Sequence, residues 1–195
     1  MTRKDTDTRQ KEIIEATLEL LAESGTQNLT TAHIAELVGI SEAALYRHFD
    51  NKYDIIGSSI EFVGKRMRSE LAKIPTEKSA REKLKQVFFG HLEYIEDHPG
   101  NARLLFSDDI HFDDQKLRGL LRDVVEERKR FIQEIIEEGQ TQGVIKSNVD
   151  PGGIALMFIG LIQTKVLLWS LSGRNDPLTR DGEELWEVLS QSIKV

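Results

Sequence analysis

The sequence predicts an all-α fold of about nine helices. Apolar residues recur at three- and four-residue spacing through almost all of the 195 residues, and only four of these residues are proline. No segment of useful length alternates apolar and polar residues as a half-buried strand would. A chain of this length can bury a sizeable core. We therefore expect an N-terminal domain of three helices joined to a larger C-terminal helical domain.

Four helices are predicted in the first 75 residues, each next to residues that start or stop helices. A serine–glycine pair follows the broad apolar stripe of the first helix. Thr30 or Thr31 can cap the second helix, and Gly39 lies just past its end. Ser41 is a good N-cap for the third helix, and Pro75 ends the long fourth one. The predicted bounds are 8–23, 31–38, 42–49 and 52–74.

Five further helices are predicted after residue 75, over residues 79–97, 99–106, 114–141, 151–171 and 182–193. Asp150 is a good N-cap for the fourth of these, since proline follows it at the first helical position. Residues 154–171 are long and apolar enough for a membrane span to be considered. Gln163, Thr164 and Lys165 interrupt their centre, so we expect a helix buried between proteins and no membrane partner.

Composition and charge narrow the class of protein. The chain has no cysteine, which excludes disulfides and thiolate metal sites and favours a reducing cytoplasm. Charged residues near the N-terminus argue against an export signal. A net charge of −7 argues against nonspecific coating of nucleic acid. The sequence lacks a GxSxG elbow, a phosphate-binding glycine loop and an HExxH motif, so we expect no enzyme and no cofactor.

Residues 29–54 have the organisation of a helix-turn-helix, in which a glycine-containing turn joins two short helices. Ala35 is small where two helices must cross closely, and Gly39 can take the turn without a Cβ penalty. Ile34, Val38 and Leu45 are spaced to hold the two helices together. This arrangement leaves the outer face of the second helix free for DNA.

The segment LTTAHIAELVGISEAALYRHFDNKYDII resembles the DNA-binding domain of the TetR family, closely over residues 8–56. The resemblance implies a DNA-binding domain in residues 1–54, with its recognition helix at about 42–49, and a ligand-binding and dimerisation domain in residues 55–195. It implies a homodimeric, ligand-responsive repressor of a palindromic operator, located in the cytoplasm on the nucleoid. The segment SEAALYRHF also resembles the nucleoid-occlusion branch of the family. The alternative is therefore a DNA-bound adaptor whose C-terminal half recognises a protein partner.

The resemblance also implies which side chains touch the operator. Tyr46 and His48 would donate to phosphates, and Lys52 would meet a phosphate at a helix N-terminus. Arg47 would reach guanine or a phosphate, and Ala43 a thymine methyl group. The complete set implied by the resemblance is Thr31, Ser41, Glu42, Ala43, Tyr46, Arg47, His48 and Lys52.

Two features of this domain depart from a strongly basic DNA-binding surface. Glu42 stands where relatives often carry a neutral or basic side chain, and it can accept from cytosine or cap its own helix. The first 55 residues contain six basic and ten acidic residues, a net charge of −4. Few phosphates can be neutralised per subunit, so we expect binding to depend on two half-sites.

The C-terminal half is predicted to supply a dimer interface, because residues 154–171 carry more apolar surface than one subunit can readily cover. The alternative is that this helix is the central core of a monomer. The predicted interface residues are Met157, Leu161, Val166, Leu168, Trp169, Leu185, Trp186 and Leu189.

Aromatic residues and one histidine at helical spacing predict a mostly apolar pocket for a small, hydrophobic effector. An aromatic stripe is also typical of plain core. The residues predicted to line the pocket are Phe62, Phe88, His91, Leu92, Phe106, Phe112 and Phe131. The acidic run from Asp108 to Asp114 offers oxygen ligands and an imidazole, but capping of the following helix explains it more simply. We expect no metal.

Overall fold

The computed structural model describes residues 6–26, 28–106 and 114–195. Every regular element in these ranges is an α-helix, which confirms the predicted fold class. The helices are α1 (Thr6–Ser24), α2 (Thr31–Val38), α3 (Glu42–Leu45), α4 (Lys52–Leu71), α5 (Ala80–Asp97), α6 (Pro99–Phe106), α7 (Gln115–Thr141), α8 (Pro151–Leu171) and α9 (Gly182–Ile193).

Two helices end earlier than the sequence predicts. The helix α3, which is the predicted recognition helix, ends at Leu45, four residues before the predicted end. The N–H groups of Arg47 and His48 bond to carbonyls three residues back, at 3.3 and 2.9 Å, so the chain tightens into a 3₁₀-like turn there. The long helix α4 ends at Leu71 rather than residue 74, and the N–H groups of Lys73 and Ile74 bond to carbonyls three residues back, at 3.1 and 3.2 Å, as the chain tightens before Pro75.

The chain packs as two compact units. Of the described residues, the first unit comprises 6–26, 28–67, 98–106 and 114–124, and the second comprises 68–97 and 125–195. The predicted division at residue 54 concerns function rather than packing, and it stays a prediction.

In the first unit, α1 and α6 approach so closely that only glycine fits between them. A Cβ atom built on Gly100 would lie 2.0 Å from the carbonyl oxygen of Leu18. One turn further along α6, the guanidinium of Arg103 donates to the carbonyl of Leu21 at 2.8 Å. These contacts fix α6 against the helix that supports the helix-turn-helix.

The core of the second unit is an aromatic cluster joining α5, α8 and α9. The ring of Phe88 packs edge-to-face against Phe158, with centroids 6.0 Å apart, and lies 6.2 Å from Trp186. Near the start of α5, the buried ammonium of Lys83 donates to both carboxylate oxygens of Glu138 on α7, at 2.8 Å. This ion pair holds α5 against α7.

The helix α8 is apolar on all sides. By length and composition it is the one helix in the described part of the chain that could cross a membrane. One side of α8 is buried in the core of the second unit, whereas the long apolar side chains on its other side are exposed to solvent. The buried residues are Ala155, Phe158, Ile159, Ile162 and Val166.

Candidate DNA-binding surface and effector site

The turn between α2 and α3 is fixed by one glycine and two helix caps. Gly39 has φ +69° and ψ 37°, a left-handed conformation that glycine adopts without steric cost. At the start of α2, the hydroxyl of Thr30 accepts from the backbone N–H three residues on, at 3.2 Å. The exposed Ser41 caps α3 in the same way, also at 3.2 Å. The geometry predicted for this turn is confirmed.

The short helix α3 and the turn after it present opposite faces to the core and to solvent. Leu45 and Phe49 are buried in the first unit. Ala43, Tyr46 and Arg47 are exposed, and Tyr46 keeps 47% of its surface accessible. An arginine, a phenol and a small side chain therefore share the solvent side of this segment, where a DNA groove can approach it.

Hydrogen bonds join α2 to α3 across this exposed face. The phenol of Tyr46 donates to the hydroxyl oxygen of Thr31 at 3.3 Å. That hydroxyl donates in turn to the carboxylate of the exposed Glu42. Glu42 therefore contacts the neighbouring helix, an arrangement that neither of the two functions predicted for it anticipated. Its carboxylate orients the hydroxyl of Thr31 and, through it, the phenol of Tyr46.

His48 and Lys52 lie at the end of this segment. His48 is half-buried, and its Nδ1 atom has no hydrogen-bond partner among the residues that the structure describes. Lys52 is half-buried and is the first residue of α4. The side chain of Asn51 accepts from the N–H of Asp54 at 3.0 Å and caps the same helix end. Lys52 thus stands at the N-terminus of a helix, where the dipole also favours an anion, and its contact with a phosphate stays a prediction.

The residues predicted to line an effector pocket are distributed over both units. Phe88, His91 and Leu92 are buried on α5, and Phe131 is half-buried on α7. Phe62 belongs to the first unit, where the guanidinium of Arg66 covers its ring at 5.6 Å. Phe112 and the side chain of Phe106 lie outside the described residues. The pocket therefore stays a prediction.

The buried guanidinium of Arg128 was missed by the sequence analysis. This side chain is 8% exposed, and its Nε and Nη2 atoms have no hydrogen-bond partner among the described residues. A detectable signal was present, since Arg128 continues the apolar stripe of Leu121, Val124 and Ile132 at three- and four-residue spacing. A charged residue inside such a stripe indicates either a buried ion pair or a binding site.

His91 shares this environment. Burial, and secondarily the positive charge of Arg128, lowers the pKa of His91 well below its usual value of 6.5. Burial also lowers the pKa of Arg128, to about 9, which leaves the guanidinium charged at neutral pH. The site therefore combines a neutral imidazole with a cation that has no counter-charge among the residues the structure describes.

This histidine is expected to make folding stability sensitive to pH. Because its folded-state pKa is depressed, only the unfolded chain takes up a proton at His91 as the pH falls below about 6.5. The free energy of unfolding should then decline by up to about 1.4 kcal/mol per pH unit from this residue.

The measurement is urea denaturation between pH 7.5 and 5.5, in which the His91→Gln variant should show a shallower dependence on pH. The exposed Gln86 on the same helix provides the control, since Gln86→Ala removes no titratable group and should leave the slope unchanged. Equal slopes in the wild type and His91→Gln would contradict the assignment.

The second unit also has an exposed apolar surface, which we call the outer face of α8 and α9. Leu168 is 61% exposed and Val188 is 72% exposed. Between the two helices lies an open groove of about 590 Å³, whose lining includes Leu161, Trp169 and Leu185. The other long apolar side chains exposed on α8 are Leu156, Met157, Leu167 and Leu171.

Three residues predicted for the dimer interface lie elsewhere. Val166, Trp186 and Leu189 are 3, 2 and 6% exposed, respectively, within a single chain. They fill the core between α8, α9 and α5, so their assignment to the interface is corrected to the core of the protomer. The five remaining predicted residues reach the surface at least in part.

The last residue of the acidic run, Asp114, caps a helix. The carboxylate of Asp114 accepts from the backbone N–H of Leu117 at 2.9 Å and caps α7. Residues 108–113 lie outside the described part of the chain. In the ranges that the structure does describe, no group of three His, Asp or Glu side chains could hold a metal ion.

These features define a DNA-binding protein in which a helix-turn-helix is joined to a larger helical domain. The sequence model for the bacterial regulatory proteins of the tetR family matches residues 13–58. The model for the tetracyclin repressor-like C-terminal domain matches residues 77–177. The chain therefore belongs to the TetR family and is a DNA-binding transcriptional regulator, as the resemblance implied.

The chain is similar to characterised proteins over nearly its full length. The nucleoid occlusion factor SlmA of Vibrio cholerae is 29% identical over 188 residues, which cover 95% of this chain and 96% of that one. Among solved structures, FadR of Bacillus subtilis in complex with stearoyl-CoA has a TM-score of 0.81 at 24% identity, covering 92% of this chain and 97% of that one. A choline-bound putative regulator from Saccharomonospora viridis has a TM-score of 0.83 at 23% identity, covering 98% and 100%. The two structural likenesses concern the fold.

Proposed function

We propose that this chain is a homodimeric repressor that binds a palindromic operator and dissociates from it when a small molecule binds the C-terminal domain. The observation that carries the DNA-binding part is the division of α3 and the turn after it into a buried and an exposed face. Leu45 and Phe49 anchor this segment, so Ala43, Tyr46 and Arg47 are held on a rigid support. Arg47 would read a base edge or meet a phosphate, and Ala43 would approach a thymine methyl group.

The phosphate contacts would position the protein rather than read sequence. Tyr46 and Thr31 are oriented by the hydrogen bonds that end at Glu42. Lys52 and the N-terminus of α4 would hold a second phosphate, and His48 and Ser41 complete the proposed surface.

Dimerisation through the outer face of α8 and α9 would supply the second recognition helix. A two-fold axis brings the same apolar patch of two subunits together, which removes side chains such as Leu168 and Val188 from water. Operator half-sites about 34 Å apart then require two copies of α3 at a fixed separation. Because each domain neutralises few phosphates, coupling the two half-sites is the proposed source of affinity.

Release would follow from a two-state equilibrium. One conformation of the dimer holds the two copies of α3 at operator spacing, and the effector binds better to another conformation. The long helix α4 begins at Lys52, next to the recognition segment, so a tilt of α4 would change that spacing. Solved proteins of this fold that bind stearoyl-CoA and choline support a small-molecule effector.

A second function is favoured by one observation, the likeness to nucleoid occlusion factors over 95% of the chain. In this alternative the chain is a DNA-bound adaptor on the nucleoid, and its C-terminal domain recognises a protein partner. Titration of the DNA complex with small hydrophobic molecules, beside affinity capture of proteins by the same complex, distinguishes the two. Release of DNA by a small molecule supports the repressor, whereas a specific captured protein without such release supports the adaptor.

The DNA-binding surface is tested by substitution. Tyr46→Ala and Lys52→Ala should each lower the affinity for a duplex from the upstream region of the gene by roughly tenfold or more, since each removes a contact from both half-sites. Lys52→Ala should also reduce the slope of log affinity against log salt by roughly 2, because the dimer loses two phosphate contacts. Fluorescence anisotropy at several salt concentrations measures both effects.

The control is Lys65→Ala, which removes an exposed lysine from the same helix, away from the proposed surface. This variant should bind DNA like the wild type, and light scattering should show that all three variants remain dimeric. If Tyr46→Ala and Lys52→Ala bound the duplex normally, the proposed surface would be wrong.

A further inference from the structure

The two buried cations on α5 and α7, Lys83 and Arg128, differ in whether a carboxylate pairs with them. Lys83 and Glu138 form an ion pair with both nitrogen-to-oxygen distances at 2.8 Å. Two to three turns away along the same two helices, His91 and Arg128 are equally buried. Within the described ranges, one buried cation thus has a counter-charge and the other has none.

The carboxylates nearest to Arg128 along its own helix are engaged elsewhere. Glu127 binds the guanidinium of Arg68. Glu126 lies 3.7 Å from Lys129. Leaving a buried charge without a partner is costly, so the unliganded protein is expected to bear a cost that a bound anion would remove.

The positions of the unpaired nitrogen atoms of Arg128 indicate which acceptor group would fit them. Nε and Nη2 lie on one edge of the planar guanidinium, and their N–H groups point in parallel. This edge matches the two oxygens of a carboxylate, which accepts two parallel hydrogen bonds from it. A neutral hydroxyl or a single carbonyl would leave one donor unsatisfied and the charge uncompensated.

Apolar side chains adjoin His91 and Arg128 along their own helices. Phe88 and Leu92 flank His91 on α5, and both are buried. Phe131 and Ile132 follow Arg128 by about one turn of α7. A molecule that reached the guanidinium would therefore place the rest of its surface against aromatic and aliphatic side chains.

We propose that the Nε–Nη2 edge of Arg128 binds the carboxylate of an otherwise apolar effector. His91, as a neutral imidazole beside it, offers one further hydrogen bond to the same head group. The inference rests on the proposed effector-responsive function and names the chemical class of that effector.

The test uses isothermal titration calorimetry of the full-length protein with two matched pairs of probes: decanoate with 1-decanol, and phenylacetate with 2-phenylethanol. At least one carboxylate should bind roughly ten- to a hundredfold more tightly than its alcohol, the range expected for hydrogen bonds to a charged group. Arg128→Met should abolish this preference. Arg128→Lys, which keeps the charge without the planar edge, should retain only part of it.

The matched control is Arg130→Met, which removes an exposed arginine two residues along the same helix and should keep the full preference. Unliganded Arg128→Met should be at least as stable to heat as the wild type, since it removes an uncompensated charge. The inference is overturned if no carboxylate is preferred by the wild type, if the preference survives in Arg128→Met, or if that variant melts at a lower temperature. Operator binding by the unliganded wild type is measured in parallel, so that failure of the proposed repressor function is recognised separately.

Discussion

Replacing Leu168 with glutamate is expected to turn the dimer into monomers and to lower operator affinity by roughly two to four orders of magnitude. Leu168 is 61% exposed in the single chain and lies on the outer face of α8 and α9. In the dimer its side chain would be covered, and a carboxylate there would lose its hydration without gaining a partner. A monomer contacts one half-site only, so it loses the effective concentration that links the two halves.

Two measurements separate this effect from unfolding. Light scattering coupled to size-exclusion chromatography reports the oligomeric state, and circular dichroism should show unchanged helix content because the substituted side chain contacts little of its own chain. Val188→Glu, on the neighbouring helix, should behave in the same way. Gln86→Glu, which adds the same charge at an exposed position of α5, should remain a dimer with normal operator affinity. A dimeric Leu168→Glu protein would place the interface elsewhere.

The helix-turn-helix could be predicted almost in full because its signals are local. Thr30, Gly39 and Ser41 each satisfy a requirement of the backbone within four residues of themselves, and the structure uses all three as predicted. The end of α3 could not be predicted in this way. Nothing in the sequence after Leu45 forbids another helical turn, and the tightening of the chain toward the buried Phe49 depends on packing.

The C-terminal domain was harder to predict because α8 is apolar on every side. Periodicity separates a buried face from a solvated one only when the two differ in polarity. Val166 and Leu168 look alike in the sequence, yet one is 3% exposed and the other 61%. Which of them faces α5 is decided by long-range contacts such as the aromatic cluster around Phe88.

Substitution of Trp186 should have a different effect from substitution of Leu168. Trp186→Ala should lower the free energy of unfolding of the single chain, whereas Leu168→Glu should break the dimer and leave the chain folded. The indole is 2% exposed and lies 6.2 Å from the ring of Phe88, so Trp186→Ala would leave a large cavity between α9 and α5. Substitutions of this kind cost about 3–5 kcal/mol, against a total stability of about 5–15 kcal/mol for a typical domain. Urea denaturation at a fixed protein concentration measures the loss, because dimerisation also contributes to stability.

Val188 provides the matched control, two residues further along the same helix and 72% exposed. Both variants are compared in the Leu168→Glu background, in which the protein is expected to be a folded monomer. There, Val188→Ala should lower the free energy of unfolding by less than about 0.5 kcal/mol, as substitutions at exposed positions usually do. Trp186→Ala in that background should still lose the full amount, because its contacts are within one chain. Equal losses for the two variants would contradict the conclusion that Trp186 stabilises the core of the protomer.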